Sequence, residues 1–337
     1  MGRRSKPKPP KPPATALAQL LEKHLDYIRM RNYSEITIKS RRVHIGFFLR
    51  WANERGITEP VEVTRTVLEA YQRHVFHYRK KNGEPLAFTG QQDRLVPLRV
   101  WFKWMARQHH ILHNPASELE MPKLGFRLPK AVLTAAEAEQ ILAQPKIHEP
   151  LGLRDRAILE TFYSTGMRRT ELANIKLWDL DVERGTVMIR QGKGKKDRVI
   201  PLGDRAALWV RKYVMDARPL LTIEPDDGFV FLSNAGESLS LDYLTEMVRG
   251  YVENSGISKR GACHMFRHTM ATLMLEGGAD IRFIQAMLGH AKLETTQIYT
   301  HVAIRQLQEI HRATHPAKLQ QEKLELIETI AAEDDEA

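Results

Sequence analysis

Apolar residues in the first 120 positions recur with the three- and four-residue spacing of amphipathic helices. Four such segments are predicted, enough for a small helical bundle. The first carries the apolar stripe Leu17, Leu20, Leu21, Leu25 and Ile28. The second begins after Ser34, a favourable N-cap, and its predicted core face is Ile36, Val43, Phe47 and Trp51.

The third and fourth helices carry the same kind of signal. The third is predicted roughly from Thr64 to Arg79. The fourth follows Thr89, ends near residues 113–116, and has on one face Leu95, Leu98, Phe102 and Met105. Residues 121–133 then hold two prolines, a glycine and three basic residues, a composition typical of a linker.

The second half of the chain mixes helices with a short sheet. Thr134 and Glu137 form a capping-box pattern that begins a new domain. Residues 185–203 predict a β-hairpin, with Val187 and Ile189 alternating before the turn and Val199 after it. Lys193 lies between two glycines and is expected on the connecting loop. Read alone, a lysine in a basic turn indicates only solvation.

Residues 264–275 predict a helix with two different faces. At about 100° per residue, His264, Arg267, His268 and Ala271 share one face, and Phe266, Met270 and Leu273 the other. An apolar core face needs no function, but it does not explain a facing side rich in histidine and arginine. His264 and His268 have the spacing of a zinc pair, yet Arg267 between them would repel a cation, so a metal site is disfavoured.

Three further signals surround this helix in sequence. Upstream, Gly166 interrupts the chain just before Arg168, and Glu171 stands one helical turn later where it could orient that arginine. A surface Arg–Glu pair is the plain alternative. Downstream, Asp280 is expected to cap a helix that ends at Gly289, followed by His290. Tyr299 then lies among polar residues, poorly placed for a core.

Composition narrows the class of partner. The chain has 337 residues, enough for two domains, and its net charge is +10. Because residues 319–337 carry −6, the remainder carries +16. Residues 1–14 form a proline-rich basic arm without acids. This balance indicates a polyanion, with nucleic acid favoured over a membrane surface. The arm could equally be a solvated tail.

Other features of the composition point to a cytoplasmic protein. A hydrophobic fraction of 42% and a charged fraction of 27% are ordinary for a soluble chain. The single cysteine excludes a disulfide framework and fits a reducing cytosol. No run of residues approaches the length of an apolar membrane span. DNA contact in the N-terminal bundle is predicted for its basic residues, against the alternative of a solvated face: Lys39, Arg41, Arg42, His44, Arg73, Lys80 and Lys81.

The candidate chemistry follows from the residue types. Guanidinium groups hold phosphate oxygens bidentately, a lysine can protonate a leaving alkoxide, and a tyrosine can be a covalent nucleophile. No cluster of Asp and Glu suggests a two-metal nuclease. The sequence therefore favours phosphoryl transfer at a DNA backbone through a phosphotyrosine, without a metal cofactor.

The motifs TGMRRTEL, GKGKKDRVIPL, HMFRH, LGH and TTQIYTH resemble, in order and spacing, the tyrosine recombinase or phage integrase family, closest to its Xer-like members. The resemblance implies that Arg168 and Arg267 clamp the scissile phosphate and that Glu171 supports them. It also implies that Lys193 protonates the leaving 5′ oxygen. His264 and His290 would assist proton transfer, and Tyr299 would attack phosphorus to give a 3′-phosphotyrosine.

The resemblance also implies an architecture. A mainly α chain with a small antiparallel sheet is expected, in which a SAM-like core-binding bundle and an α+β catalytic domain form a C-shaped clamp around duplex DNA. Four protomers would assemble on two sites and exchange strands through a Holliday junction, without metal or ATP. The expected segments are the basic arm 1–14, the bundle 15–120, the linker 121–133, the catalytic domain 134–302 and the tail 303–337.

The tail departs from the family pattern by its length. Ile304, Leu307, Leu324 and Ile327 have helical spacing, and residues 333–337 are an acidic end. Docking on a neighbouring protomer is the favoured hypothesis for the helical part.

Some alternatives stay open at this point. A type IB topoisomerase would share the chemistry, and an architectural protein could use the clamp without cutting. The sequence also leaves open whether the role is dimer resolution or movement of a mobile element, and whether a helper protein or a paired recombinase is needed.

Overall fold

The computed structural model describes residues 15–125, 131–190, 192, 197–290 and 296. The chain divides into two compact units, Met1–Phe126 and Arg127–Ala337. This division falls inside the segment 121–133, which the sequence analysis assigned to a linker. Within the described ranges, no helix is long and apolar enough to cross a membrane.

The described part of the N-terminal unit is a helical bundle. Its α-helices are α1 (Ala16–Met30), α2 (Glu35–Asn53), α3 (Arg65–His77) and α4 (Phe88–Arg107), with a short 3₁₀ turn at Pro60–Glu62. Thr15, Ser34 and Thr64 cap the first three helices through their side-chain oxygens. The Ser34 cap and the apolar stripe of α1, which is buried, are confirmed.

The predicted core face of α2 is wrong. Ile36 is 72% exposed and Val43 is 36% exposed, although Trp51 is buried. The buried face of this helix is Ile38, Ile45, Phe48, Leu49 and Ala52. Two apolar stripes run side by side on α2, and the periodicity cannot choose between them. Packing against α1 and α4 makes the choice, because it covers the stripe one or two positions further along.

The fourth helix ends earlier than predicted, although its core face is confirmed. Leu95, Leu98, Phe102 and Met105 are fully buried. The helix stops at Arg107 rather than near residues 113–116, and His109 follows with a φ of 58°. Apolar residues after the helix remain in the core, since Ile111 and Ala116 are buried. Their burial extends the apolar pattern past the end of the helix.

The second unit contains a three-stranded antiparallel sheet. Its strands are β1 (Leu180–Asp181), β2 (Thr186–Ile189) and β3 (Arg198–Pro201), in the order β1-β2-β3. The hairpin is confirmed, and β1 was not predicted. Val187 and Ile189 are buried, but on β3 the buried residue is Ile200, which pairs with Val187. Val199 lies on β3 after the turn, as predicted, where it pairs with Met188 and is 58% exposed.

Helices make up most of the second unit. They are α5 (Ala135–Leu142), α6 (Pro150–Thr165), α7 (Arg169–Ala173), α8 (Asp204–Lys212), α9 (Arg218–Leu221), α10 (Leu241–Asn254), α11 (Cys263–Glu276) and α12 (Ile281–Leu288). A 3₁₀ turn at Leu177–Asp179 and a π-helical turn at Tyr213–Ala217 interrupt the series. The predicted Thr134–Glu137 capping box and Asp280 cap are confirmed.

Helix α6 forms the centre of the second unit and packs against α8 and α11. It is buried on almost every side, including Ala157, Ile158 and Phe162. It ends at Gly166, which has a φ of 58°, a value that L side chains rarely adopt. A Cβ at Gly166 would lie 2.2 Å from the Met270 Cε on α11. The turn before Arg168 therefore needs glycine both for its backbone and for its space.

We expect Gly166→Ala to destabilise the second unit by roughly 2–4 kcal/mol, because left-handed strain and overpacking against Met270 add together. Gly250→Ala is the matched control. Gly250 lies within α10 and has no atom within 4 Å of an added Cβ. That control should stabilise by up to about 1 kcal/mol, as alanine does in a helix. Urea unfolding followed by circular dichroism measures both changes, and an equal response of the two variants would contradict this account of the turn.

Candidate active site

Arg168 stands at the N-cap of α7, directly after the turn at Gly166. Its Nη1 donates to the Glu171 Oε1 at 2.7 Å, and its main-chain N–H donates to the Oε2 at 2.8 Å. The side chain is 20% exposed, so the guanidinium is held at the surface of the unit. The Arg168–Glu171 contact that their spacing allows is present in the structure.

Glu171 also binds a second arginine, Arg198, which was not predicted as a site residue. Arg198, the first residue of β3, donates from Nη1 and Nη2 to the two Glu171 oxygens at 3.0 and 2.8 Å. Its Nε donates to the carbonyl of Met287 at 3.0 Å. Arg198 lies inside the motif GKGKKDRVIPL, in which Lys193 is the predicted site residue. The basic residue that opens the returning strand was the available signal.

The carboxylate of Glu171 stays ionised despite its burial. Burial alone would raise its pKa, but hydrogen bonds from Arg198 and from the Arg168 backbone, with the charge of Arg198, lower the pKa overall. A buried carboxylate that accepts four hydrogen bonds strongly favours its charged form. Glu171 therefore acts as a fixed negative charge between two guanidinium groups.

Arg267, on α11, is 5% exposed. Its Nη1 donates to the Gly166 carbonyl and its Nη2 to the Leu288 carbonyl, both at 2.7 Å. The Nη2 also lies 2.9 Å from the His290 Nε2. On the predicted histidine- and arginine-bearing face of α11, Arg267 and Ala271 are buried, whereas His264 is exposed. Arg267 on this face contacts the end of α6 and the end of α12.

The two histidines of α11 differ in their surroundings. His264 is exposed, and partial desolvation, Arg267, Arg169 and Arg168 lower its pKa. His268 is half-buried, and burial with the nearby His264 and Arg267 lowers its pKa to about 4. Within the described ranges, no three His, Cys, Asp or Glu side chains are arranged to hold a metal ion.

His290 follows α12 and Gly289, which has the left-handed φ of 61° expected for the end of that helix. The main-chain N–H of His290 donates to the Gln285 carbonyl at 3.2 Å, and its carbonyl accepts from the Gln285 Nε2 at 3.1 Å. Its Nδ1 lies 2.9 Å from the Oγ1 of Thr296, which is fully buried. Thr296 was not among the site residues predicted from the sequence.

Three arginines meet at the end of α12. Arg198, Arg267 and Arg168 donate to the carbonyls of three successive residues, Met287, Leu288 and Gly289, the last at 3.4 Å. Of the six predicted catalytic residues, the structure brings together Arg168, Arg267 and His290 through these contacts, with His264 close to the arginines. Lys193 and Tyr299 lie outside the described residues.

The predicted DNA-contacting residues of the N-terminal unit are not equivalent. Lys39, Arg73 and Lys81 are exposed. Arg42 pairs with Glu22 at 2.7 Å, and Lys80 pairs with Glu84 at 2.8 Å. Arg41 and His44 are half-buried, and burial lowers the pKa of each.

Comparison with known proteins gives a family and close relatives. The model of the phage integrase family matches residues 131–306. Tyrosine recombinase XerC 2 of Ralstonia nicotianae is 51% identical over 306 residues, which cover 91% of this chain and 88% of that protein. Tyrosine recombinase XerD of Listeria monocytogenes is 34% identical over 301 residues, which cover 88% and 98%.

The fold is shared with solved structures. The XerH site-specific recombinase, bound to a palindromic difH substrate in a post-cleavage complex, aligns with a TM-score of 0.65. The alignment covers 88% of this chain and 84% of that chain at 22% identity, which supports the fold alone.

The chain belongs to the phage integrase family of tyrosine recombinases. It is a site-specific recombinase of the Xer type, an enzyme that cuts and rejoins DNA at recombination sites. The family and the class of enzyme predicted from the motifs are confirmed. The mainly helical fold with a small antiparallel sheet is confirmed as well.

We expect Arg198→Lys to slow DNA cleavage about 10- to 100-fold with little change in DNA affinity. A lysine cannot span both Glu171 oxygens and the Met287 carbonyl, so Glu171 and Arg168 would lose their fixed positions. The measurement is single-turnover cleavage of a DNA site, with affinity measured separately.

Arg218→Lys is the matched control, because Arg218 also binds a carboxylate, Asp226, and a carbonyl, that of Phe229. Both variants lose comparable bonds, but only Arg198 contacts the candidate site. Equal slowing by the two substitutions would show that the effect of Arg198 is general destabilisation.

Proposed function

We propose that the cluster at the end of α12 binds the scissile phosphate of a DNA recombination site. Arg168 and Arg267 clamp the phosphate, as the family resemblance implies, and Glu171 with Arg198 fixes Arg168. The observation that carries this proposal is that Arg168 and Arg267 both donate to carbonyls of residues 288–289. Arg267 also contacts the ring of His290, the next residue. Positive charge gathered in a partly buried site stabilises the extra negative charge of a phosphoryl-transfer transition state.

The proposed reaction uses Tyr299 as the nucleophile. Its phenolic oxygen forms a bond to phosphorus while the bond from phosphorus to the 5′ oxygen breaks. Lys193 supplies the proton that the leaving 5′ oxygen takes up, and His264 and His290 serve the proton transfer at the phenol. Attack by a 5′ hydroxyl on the phosphotyrosine reverses these steps, so rejoining needs no ATP.

Several features support His264 as a proton acceptor in this scheme. It is exposed, and partial desolvation with three nearby guanidiniums holds its pKa below the ordinary value. A histidine in such surroundings is neutral near pH 7 and can accept a proton.

The proposed substrate and assembly extend what is known of relatives. XerH has been described bound to difH, and a lambda integrase dimer bound to a core site. We propose that this recombinase likewise binds a duplex site, with four protomers on two sites. The basic residues of the N-terminal unit, above all the exposed Lys39, Arg73 and Lys81, then contact the DNA backbone. A paired second recombinase is the proposed helper, since relatives are named both XerC and XerD.

We expect Tyr299→Phe to abolish the covalent protein–DNA intermediate while leaving DNA affinity unchanged, because only the attacking oxygen is removed. The probe is a library of nicked duplexes with random arms, whose short cleaved strand diffuses away and leaves the protein attached. Denaturant-resistant complexes are collected, their DNA is sequenced, and the labelled peptide is identified.

Tyr163→Phe is the control for this experiment. Tyr163 is half-buried in the same unit, its ring centroid lies 5.8 Å from the Arg205 guanidinium carbon, and in the described part of the chain its hydroxyl makes no hydrogen bond. That variant should trap DNA like the wild type. Undiminished trapping by Tyr299→Phe would assign the attack to another residue.

We also expect cleavage of the selected duplex to continue in excess EDTA, because guanidinium groups supply the charge stabilisation. The affinity for DNA should fall steeply as the salt concentration rises. The chain without residues 319–337 carries a net charge of +16, and its basic groups release counterions when they bind phosphates. The cleavage rate with and without chelator is compared at one salt concentration. Loss of cleavage with binding intact would refute a metal-independent reaction.

A further inference from the structure

His290 is held on both ring nitrogens by side chains from different parts of the chain. Its Nε2 lies 2.9 Å from the Arg267 Nη2, and its Nδ1 lies 2.9 Å from the Thr296 Oγ1. Arg267 is buried to 5% exposure and Thr296 is fully buried. Neither neighbour is a mobile surface group, so the ring has two fixed contacts.

The chemistry of these neighbours decides which nitrogen carries the proton. A guanidinium N–H can only donate, so the Nε2 of His290 must accept from Arg267. A neutral imidazole has one donor and one acceptor, and the Nδ1 is therefore the donor. In the observed contact, the hydroxyl oxygen of Thr296 receives this N–H. The contacts thus define one tautomer, with the proton on Nδ1.

We propose that Thr296 is a positioning residue that fixes this tautomer and aims the Nε2 lone pair of His290 into the active site. The proposal rests on the function proposed above, in which His290 serves proton transfer. When a phosphate takes up the guanidinium N–H of Arg267, the Nε2 is left as an acceptor. A proton from the nucleophile can then pass to Nε2, while the Nδ1–H keeps its bond to Thr296.

The main-chain contacts of His290 make the role of Thr296 specific. Gln285 holds the backbone of His290 from both sides, through its carbonyl and its Nε2. Those bonds fix the backbone of His290 but not the rotation of its imidazole ring. Among the described residues, Arg267 and Thr296 contact the ring nitrogens, and Arg267 is the group that the substrate engages. The Thr296 contact is therefore the one of these two that persists during the reaction.

The first test is the nitrogen-15 NMR spectrum of the histidine rings in the DNA-free full-length protein. Nitrogen-15 NMR distinguishes a protonated from an unprotonated ring nitrogen, and a His290→Asn variant identifies the His290 signals among 14 histidines. At about pH 8, well above the ordinary histidine pKa, we expect the wild type to show the Nδ1–H tautomer. Thr296→Val should mix the two tautomers, whereas Thr296→Ser should retain one.

The second test is cleavage of the duplex selected in the trapping experiment. Thr296→Val should slow single-turnover cleavage about 10- to 100-fold with unchanged affinity, the usual cost of losing a group that orients a functional histidine. Thr296→Ser should recover most of the rate. Thr272→Val is the matched control, because Thr272 is also buried on α11 and, among the described residues, its hydroxyl has no hydrogen-bond partner. It should change neither the spectrum nor the rate.

Three results would overturn the proposal. One is an unchanged tautomer and rate in Thr296→Val, and another is a slower rate without any change of tautomer. The third is equal slowing by Thr296→Ser or Thr272→Val, which would indicate packing alone. Failure of the proposed function looks different, since the wild type would then trap no DNA at Tyr299 while the ring spectrum could still be read.

Discussion

The carbonyl groups at the end of α12 are the constraint on which the rest of the site depends. The last carbonyls of a helix have no partner within it, and the helix dipole places partial negative charge there. In this recombinase those carbonyls receive Arg198, Arg267 and Arg168. Three side chains that would repel one another in solution are thereby gathered before any phosphate arrives.

The turn that ends α12 is as important as its carbonyls. Gly289 has a φ of 61°, and a Cβ there would lie 3.0 Å from the Arg198 guanidinium carbon. Glycine thus allows the chain to leave the helix and allows Arg198 to pass close to it. Gly166 does the same at the other side of the site, where its carbonyl receives Arg267. Two glycine-terminated helices therefore frame the guanidinium groups.

Features of the structure that arise from neighbouring residues could be predicted from the sequence. The caps at Ser34, Thr134 and Asp280 and the helix ends at Gly166 and Gly289 follow from side-chain and backbone preferences that act within one turn. The core face of α2 and the burial of Ile200 rather than Val199 could not, because packing from distant elements decides them. The end of α4 was misjudged for the same reason, since buried residues beyond it continue the apolar pattern.

The site residues also divide into those that a local motif identifies and those that only distant contacts reveal. Motifs identify Arg168, Arg267, His264 and His290, and the structure brings the first two and His290 to one place. The roles proposed for Lys193 and Tyr299 remain predictions. Arg198 and Thr296 were not predicted because their importance comes from contacts with residues elsewhere in the chain. Arg198 meets Glu171, which is 27 positions away, and Met287, which is 89 positions away. No local pattern carries that information.

The two histidines proposed for proton transfer show how much of the site is built before DNA binds. His290 is fixed by its backbone and by both ring nitrogens. His264 is exposed, and in the described residues its ring makes no hydrogen bond, while partial desolvation and surrounding guanidiniums lower its pKa. A bound phosphate would offset that positive charge and favour proton uptake by His264. DNA binding would thus favour proton uptake by His264, whose ring no described residue holds by a hydrogen bond.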